Sequence, residues 1–168
     1  MDVAELLIES YGRVPDLVRS AVEGLSAEDL ARPPAEGANT IGWLTWHLIR
    51  VQDHHVSELL DEEQVWVGGD VAGRFGLAPD PDDTGYGHSA GEVRAVRPDG
   101  PDAVLAYLDA VWDRTRAYLA GLTADDLDDV VDERWDPPVT RGVRLVSVVD
   151  DCTQHAGQAA YARGLLGL

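Results

Sequence analysis

The chain has no lysine. Its 13 basic residues are all arginine, set against 31 acidic ones, for a formal net charge of −18. A polyanionic nucleic-acid backbone is repelled by such a surface, and no basic stripe offsets it, so nucleic acid is excluded as a partner. There is a single cysteine, Cys152, which excludes an intrachain disulfide and fits a reducing compartment. No apolar run approaches the length of a membrane span. The first residues, Met1-Asp2-Val3-Ala4-Glu5, lack the basic start and apolar core of a secretory signal. These absences together predict a soluble, cytoplasmic protein with no membrane attachment.

What is present is a chain of 168 residues, 45% of them hydrophobic. That suits one domain, spanning residues 1–168, with a core of its own. Apolar positions recur with helical spacing over residues 3–23, from Thr40 to about Leu60, from Pro101 to Leu119, and from about Val143 to Leu165. Asp2 is placed to cap the first helix, and Pro15 is placed to bend it. The expected class is all-α. Residues 61–100, rich in Gly, Pro and Asp, form a long connection between the second and third long helices, with room for a short helix after Ser89. Residues 129–142 read as extended because Pro137 and Pro138 exclude helix.

An internal echo supports a bundle. Gly24-Leu25-Ser26-Ala27-Glu28-Asp29-Leu30 resembles Gly121-Leu122-Thr123-Ala124-Asp125-Asp126-Leu127, each after a long amphipathic segment and before a loop. Two helix pairs with this pattern pack naturally as four helices. Helical proteins of this kind often pair, so a homodimer is an expected assembly.

Candidate chemistry lies on two of the helices. Asp151 and His155 are four residues apart, one turn on one helical face, beside Val148, Cys152 and Ala159. An ionised carboxylate on an apolar face is costly unless it is paired or coordinated. His47, from the second long helix, would complete a His–Asp–His set with one position open, the form of a catalytic metal site. Zinc suits such donors, as do nickel, iron and manganese. The same spacing also serves an ordinary Asp–His pair across a helical turn. His55 lies eight residues from His47, about 12 Å along the axis, too far to share one ion, and reads instead as a proton-moving catalytic group. By helical projection His55 falls nearer the centre of the apolar stripe than His47. Cys152 reads as a buried small hydrophobe rather than a nucleophile. Trp66, Phe75, Tyr86 and His88 in the long connection could line a lid or simply seal the bundle. Arg74, Arg134, Arg141 and Arg144 could hold substrate carboxylates, although surface pairing is the more common use of arginine in so acidic a chain.

The segments Gly42-Trp43-Leu44-Thr45-Trp46-His47-Leu48 and Asp151-Cys152-Thr153-Gln154-His155-Ala156-Gly157-Gln158 resemble the second and final helices of the DinB-like superfamily. Many members carry His or Glu where this chain has Asp151, and often His where it has Gln158. The stretches 133–140 and 83–88 look like an actinobacterial branch of mycothiol transferases. The resemblance implies an antiparallel four-helix bundle and His47, Asp151 and His155 as metal ligands. Relatives include mycothiol-dependent maleylpyruvate isomerase and bacillithiol S-transferases. The implied function is a metal-dependent S-transferase that joins a low-molecular-weight thiol, mycothiol, to a small electrophile. A metal-dependent hydrolase and a non-catalytic, metal-free helical protein are the alternatives.

Overall fold

The computed structural model describes all 168 residues, Met1–Leu168. Four long helices form the bundle: α1 (Val3–Val22), α3 (Ile41–Leu60), α5 (Pro101–Leu119) and α6 (Arg141–Leu166). Two short ones, α2 (Ala27–Ala31) and α4 (Ala90–Ala95), lie in the connections, with a two-stranded ribbon of β1 (Val130–Asp132) and β2 (Val139–Thr140) before α6. No helix is long and apolar enough to cross a membrane.

Local chemistry explains the boundaries. The carboxylate of Asp2 accepts from the Glu5 amide, and Glu5 reaches back to Asp2, closing a capping box at the start of α1. Ser26 with Asp29 and Ser89 with Glu92 do the same for α2 and α4. Pro15 is accommodated inside α1 without ending it. Thr40 caps α3 through the Trp43 amide, and α6 ends at Gly167 in the left-handed conformation. The last helix begins at Arg141, two residues before the expected start, because Thr140 caps it. In the echoed segment, Thr123 and Asp126 repeat the Ser26–Asp29 hydrogen bonds, but the turn continues as a 3-10 helix over Asp125–Asp128.

Around the bundle each helix packs on two others in the order α1, α6, α3, α5. Side-chain bonds fix the directions. His55 meets Arg144 while His47 meets His155, so α3 and α6 are antiparallel. Arg50 meets Tyr107 while Ser57 meets Arg114, so α3 and α5 run parallel. Tyr11 bonds the Leu145 carbonyl and Arg163 reaches the Ser20 carbonyl, so α1 and α6 are also parallel. The four-helix bundle therefore consists of two parallel pairs set antiparallel to each other.

That topology gives residues 61–100 their task. Two parallel neighbours of about 20 residues require a return of about 30 Å. The segment makes this return along the outer side of α3: Gln64 and Pro81 lie at Arg50, Thr84 at His47, and His88 at Trp43. As a result, α3 is buried all round over its first half, Ile41 through Arg50. The core joins Val14 and Val18 of α1, Leu44 and Leu48 of α3, Leu108 and Val111 of α5, and Leu145, Val148 and Cys152 of α6. Ala156, Ala159 and Ala162 complete the α6 face, small enough for close helix approach.

Candidate metal centre and its cleft

The antiparallel α3–α6 contact places His47 level with Asp151 and His155. One potential ligand atom from each of the three lies within 4.8 Å of the others. The imidazole centroids of His47 and His155 are 4.7 Å apart, nearly perpendicular. His155 Nε2 is 3.5 Å from Asp151 Oδ1. That pair is the cross-turn interaction the spacing allows, but it accounts for only one carboxylate oxygen. Asp151 Oδ2 is buried with no hydrogen-bond partner. An orphaned anionic oxygen beside two imidazoles is costly without a cation.

Both imidazoles are oriented from behind. His47 Nδ1 bonds the backbone carbonyl of Thr84. A carbonyl only accepts, so Nδ1 carries the proton and Nε2 keeps its lone pair. His155 Nδ1 bonds Gln158 Oε1 at 2.8 Å, with the same consequence. Burial lowers the pKa of His47, partly countered by the Thr84 bond, which favours the neutral, ligating form. The Asp151 carboxylate beside Nε2 raises the pKa of His155, because a protonated ring can donate to it when no cation is bound. Two imidazoles and one carboxylate, with a buried oxygen awaiting a partner, fit a divalent cation.

Aromatic groups build the wall behind His47. Trp43 stacks on it at 4.7 Å and 10°, and presents an edge to His155 at 6.2 Å. Trp43 Nε1 donates to His88 Nδ1 at 3.1 Å, and His88 Nε2 meets Asp83 Oδ1 at 2.9 Å. Gly85 lies between these rings with φ +89°, where an added Cβ would come within 2.7 Å of Trp46 and 3.0 Å of His47 Nδ1. Only glycine tolerates both the conformation and the approach.

The Pro81–Gly85 stretch is pinned by Arg50, a residue that helical patterning leaves unremarked. Its guanidinium is fully buried and donates to the carbonyls of Asp83 and Pro81, both at 3.1 Å, and to Gln64 Oε1 at 2.9 Å. The buried carboxylate of Asp53 lies 3.7 Å away and accepts from the amides of Val65 and Trp66 and from the hydroxyls of Tyr107 and Ser57. Trp66 also lies under the Arg50 cation, 5.1 Å from it.

A cleft of about 530 Å³ adjoins the cluster and is lined in part by His47 and Asp151. His54 and His55 line its α3 wall. His47 is more buried than His55, the reverse of the helical projection, because the crossover covers the His47 side. His55 stands apart from the His47 cluster, grouped with His54 and Glu58. Arg144 donates to the His55 ring at 3.2 Å. Burial first, then the Arg144 cation, hold the His55 pKa down at about 4. Arg144 in turn bonds Asp132 at 2.9 Å, which also receives Arg134. Arg74 pairs with Asp99 and Arg141 with Asp129, so all four of the predicted anion-holding arginines already have carboxylate partners.

The four loop aromatics do not act as one lid. Trp66 and Phe75 are core residues, and His88 packs on Trp46 and Trp43. Tyr86 alone stands exposed at the cleft. Cys152 is fully buried, with burial raising its thiol pKa, and its Sγ lies 3.3 Å from the Leu48 carbonyl.

This bundle, with its donor cluster between the second and last long helices, is of the DinB-like class. The chain belongs to the mycothiol S-transferase family, whose sequence model matches residues 13–167. Among solved structures, a crystal structure described as a conserved protein from Enterococcus faecalis superposes with a TM-score of 0.91 at 32% identity, over 100% of this chain and 99% of that one. No curated protein matches the sequence. The family implies a transferase that uses a thiol co-substrate and a small-molecule substrate.

Proposed function

We propose that this protein is a metal-dependent S-transferase that joins mycothiol to a small electrophile, with His47, Asp151 and His155 as the metal ligands. The observation that carries this reading is the donor cluster itself. Two pre-oriented imidazoles converge with a carboxylate whose second oxygen is buried and unpartnered, beside an open cleft. When bound, a divalent cation, zinc by donor type, supplies electrostatic stabilisation of thiolate over thiol at neutral pH.

The chain's own groups do the rest. Thr84 and Gln158 hold the two imidazoles in the tautomer that presents Nε2. Trp43, Gly85 and Trp46 exclude water from the back of His47. His55 enters the proposal as a neutral imidazole on the cleft wall. With its pKa near 4 and an Arg144 N–H on its ring, it is a weak base at pH 7. Its part is to accept a hydrogen bond from an incoming group or relay a proton briefly.

The test combines metal analysis with turnover. Tag-free protein is expected to retain about one divalent ion per chain, as one three-donor site implies, and to consume a model electrophile only when thiol is present. Asp151→Asn and His47→Ala are expected to lose both metal and turnover. Thiol-independent consumption of an ester or amide would favour metal-assisted hydrolysis instead. Unchanged metal content in Asp151→Asn would remove the ligand assignment.

A further inference from the structure

The mouth of the cleft is flanked by Tyr86 and Trp135, whose side chains are largely in solvent at 93% and 65% exposure. By contrast, Trp43, Trp46 and Trp66 are almost fully buried. Each exposed ring is carried on a fixed support. Tyr86 follows Gly85, which is wedged against His47 and Trp46. Trp135 follows Arg134, whose amide and guanidinium both bond Asp132, itself tied to α6 through Arg144. Large aromatic faces held out to water at the rim of a cleft are a ligand-binding feature.

The charge of the lining limits the occupant. No arginine lines the cleft; Arg144 and Arg134 lie behind it, engaged by Asp132. The Asp82 carboxylate and the Thr84, Tyr86 and Ser147 hydroxyls line it without an intramolecular side-chain bond. Acceptors with aromatic faces and no cation suit an uncharged body rich in hydroxyl groups, with hydroxyls donating to carboxylate and ring C–H faces lying on the aromatics. The body of mycothiol, an N-acylated amino sugar joined to a cyclitol, has this chemistry. The cleft volume of about 530 Å³ is within the range of about 300–1,000 Å³ usual for small-molecule sites.

We infer that Tyr86 and Trp135 form a sugar-stacking subsite for the thiol co-substrate, with Asp82 and Ser147 binding its hydroxyls and its sulfur directed toward His47 and Asp151. This inference rests on the thiol-transferase reading. It makes Tyr86 and Trp135 specificity-determining residues that distinguish a sugar-bearing thiol from a simple one.

The experiment is calorimetric titration with the N-acetylated amino-sugar–cyclitol body, which is uncharged, lacks the thiol and requires no turnover. Wild-type protein is expected to bind it. Trp135→Ala and Tyr86→Ala are each expected to weaken binding about tenfold or more, as for truncation of an aromatic anchor, and Trp135→Phe to recover most of it. Both positions are exposed, so melting temperatures check that the variants remain folded. Failure of wild type to bind the sugar body, or equal affinity in Trp135→Ala, overturns the inference. So does a raised KM for the electrophile with sugar affinity unchanged, which would assign the rim to the other substrate. Sugar binding lost in Trp135→Ala, together with turnover that requires no thiol, would fell the transferase reading while leaving the subsite standing.

Discussion

Two buried polar groupings sit one turn apart on α3, and they are built on opposite principles. Arg50 and Asp53 are fully enclosed, and every side-chain nitrogen and oxygen is answered by a carbonyl, an amide or a hydroxyl. His47, with Asp151 and His155, is satisfied from behind but left open in front, and one carboxylate oxygen has no partner at all. Both groupings hold the same stretch of chain, Pro81 through Thr84. The closed one fixes where that stretch lies, and the open one uses the resulting position of the Thr84 carbonyl. A saturated network specifies architecture, whereas an unsaturated one leaves binding capacity available.

The sharpest way to break the comparison is at the closed grouping. Asp53→Ala strands a buried guanidinium and releases the Val65 and Trp66 amides. The expected cost is about 3–5 kcal/mol of unfolding free energy, read by urea denaturation of metal-free protein. If instead the loss were below about 1 kcal/mol, the value typical of an exposed pair, the network would not be what seats the crossover.

At the open grouping the expected effect shifts from stability to affinity. Gln158→Leu removes the acceptor that orients His155. Metal affinity should fall about 10- to 100-fold, the range for a group that orients a ligand, by competition with a chromogenic chelator. Metal-free stability should change little, because Gln158 is exposed. A stability loss with unaltered affinity would reverse the assignment.

A third test lies beyond both groupings on α3, at His55. Its folded pKa of about 4 is below the ordinary histidine value of 6.5. From pH 6.5 down to 4 the unfolded chain therefore takes up a proton that the folded chain refuses. Stability attributable to His55 should decline over that interval and level off below it. The difference in unfolding free energy between wild type and His55→Gln isolates this slope, since the carboxylates common to both cancel. A flat difference from pH 7 to 4 would mean that Arg144 and burial do not hold the ring neutral.

The helices and the meeting of His47, Asp151 and His155 were legible because these residues leave periodic marks. Thr40, Pro101 and Asp2 punctuate the chain, and Asp151 interrupts an apolar face one turn before His155. Arg50 and Asp53 left no such mark. Three residues apart on a helix, they have the spacing of any surface ion pair, and their burial comes from residues 61–100, which have no periodicity to read. The same covering reversed the apparent depths of His47 and His55. The Thr84 carbonyl was invisible for a simpler reason: a backbone oxygen has no residue signature, and only Gly85 beside it hints at a close approach. Tyr86 parts company with Trp66 and Phe75 for a similar reason, because composition does not say which loop aromatics turn inward.

One bond in the crossover separates it into two functional lengths. Gln64 Nε2 donates to the Pro81 carbonyl at 3.1 Å, so residues 65–80 leave and return to the same place on α3. They form an excursion closed at its neck, upstream of the stretch that roofs the donors. Since doubling a loop costs only about 0.6 kcal/mol in closure entropy, the exposed tip of this excursion at Gly69–Asp70 can lengthen without disturbing Thr84 or Gly85, whereas Trp66, Ala72 and Phe75 are held in the core. The fold thereby keeps an extendable tip and a fixed ceiling on one continuous strand of chain, both anchored in the same core.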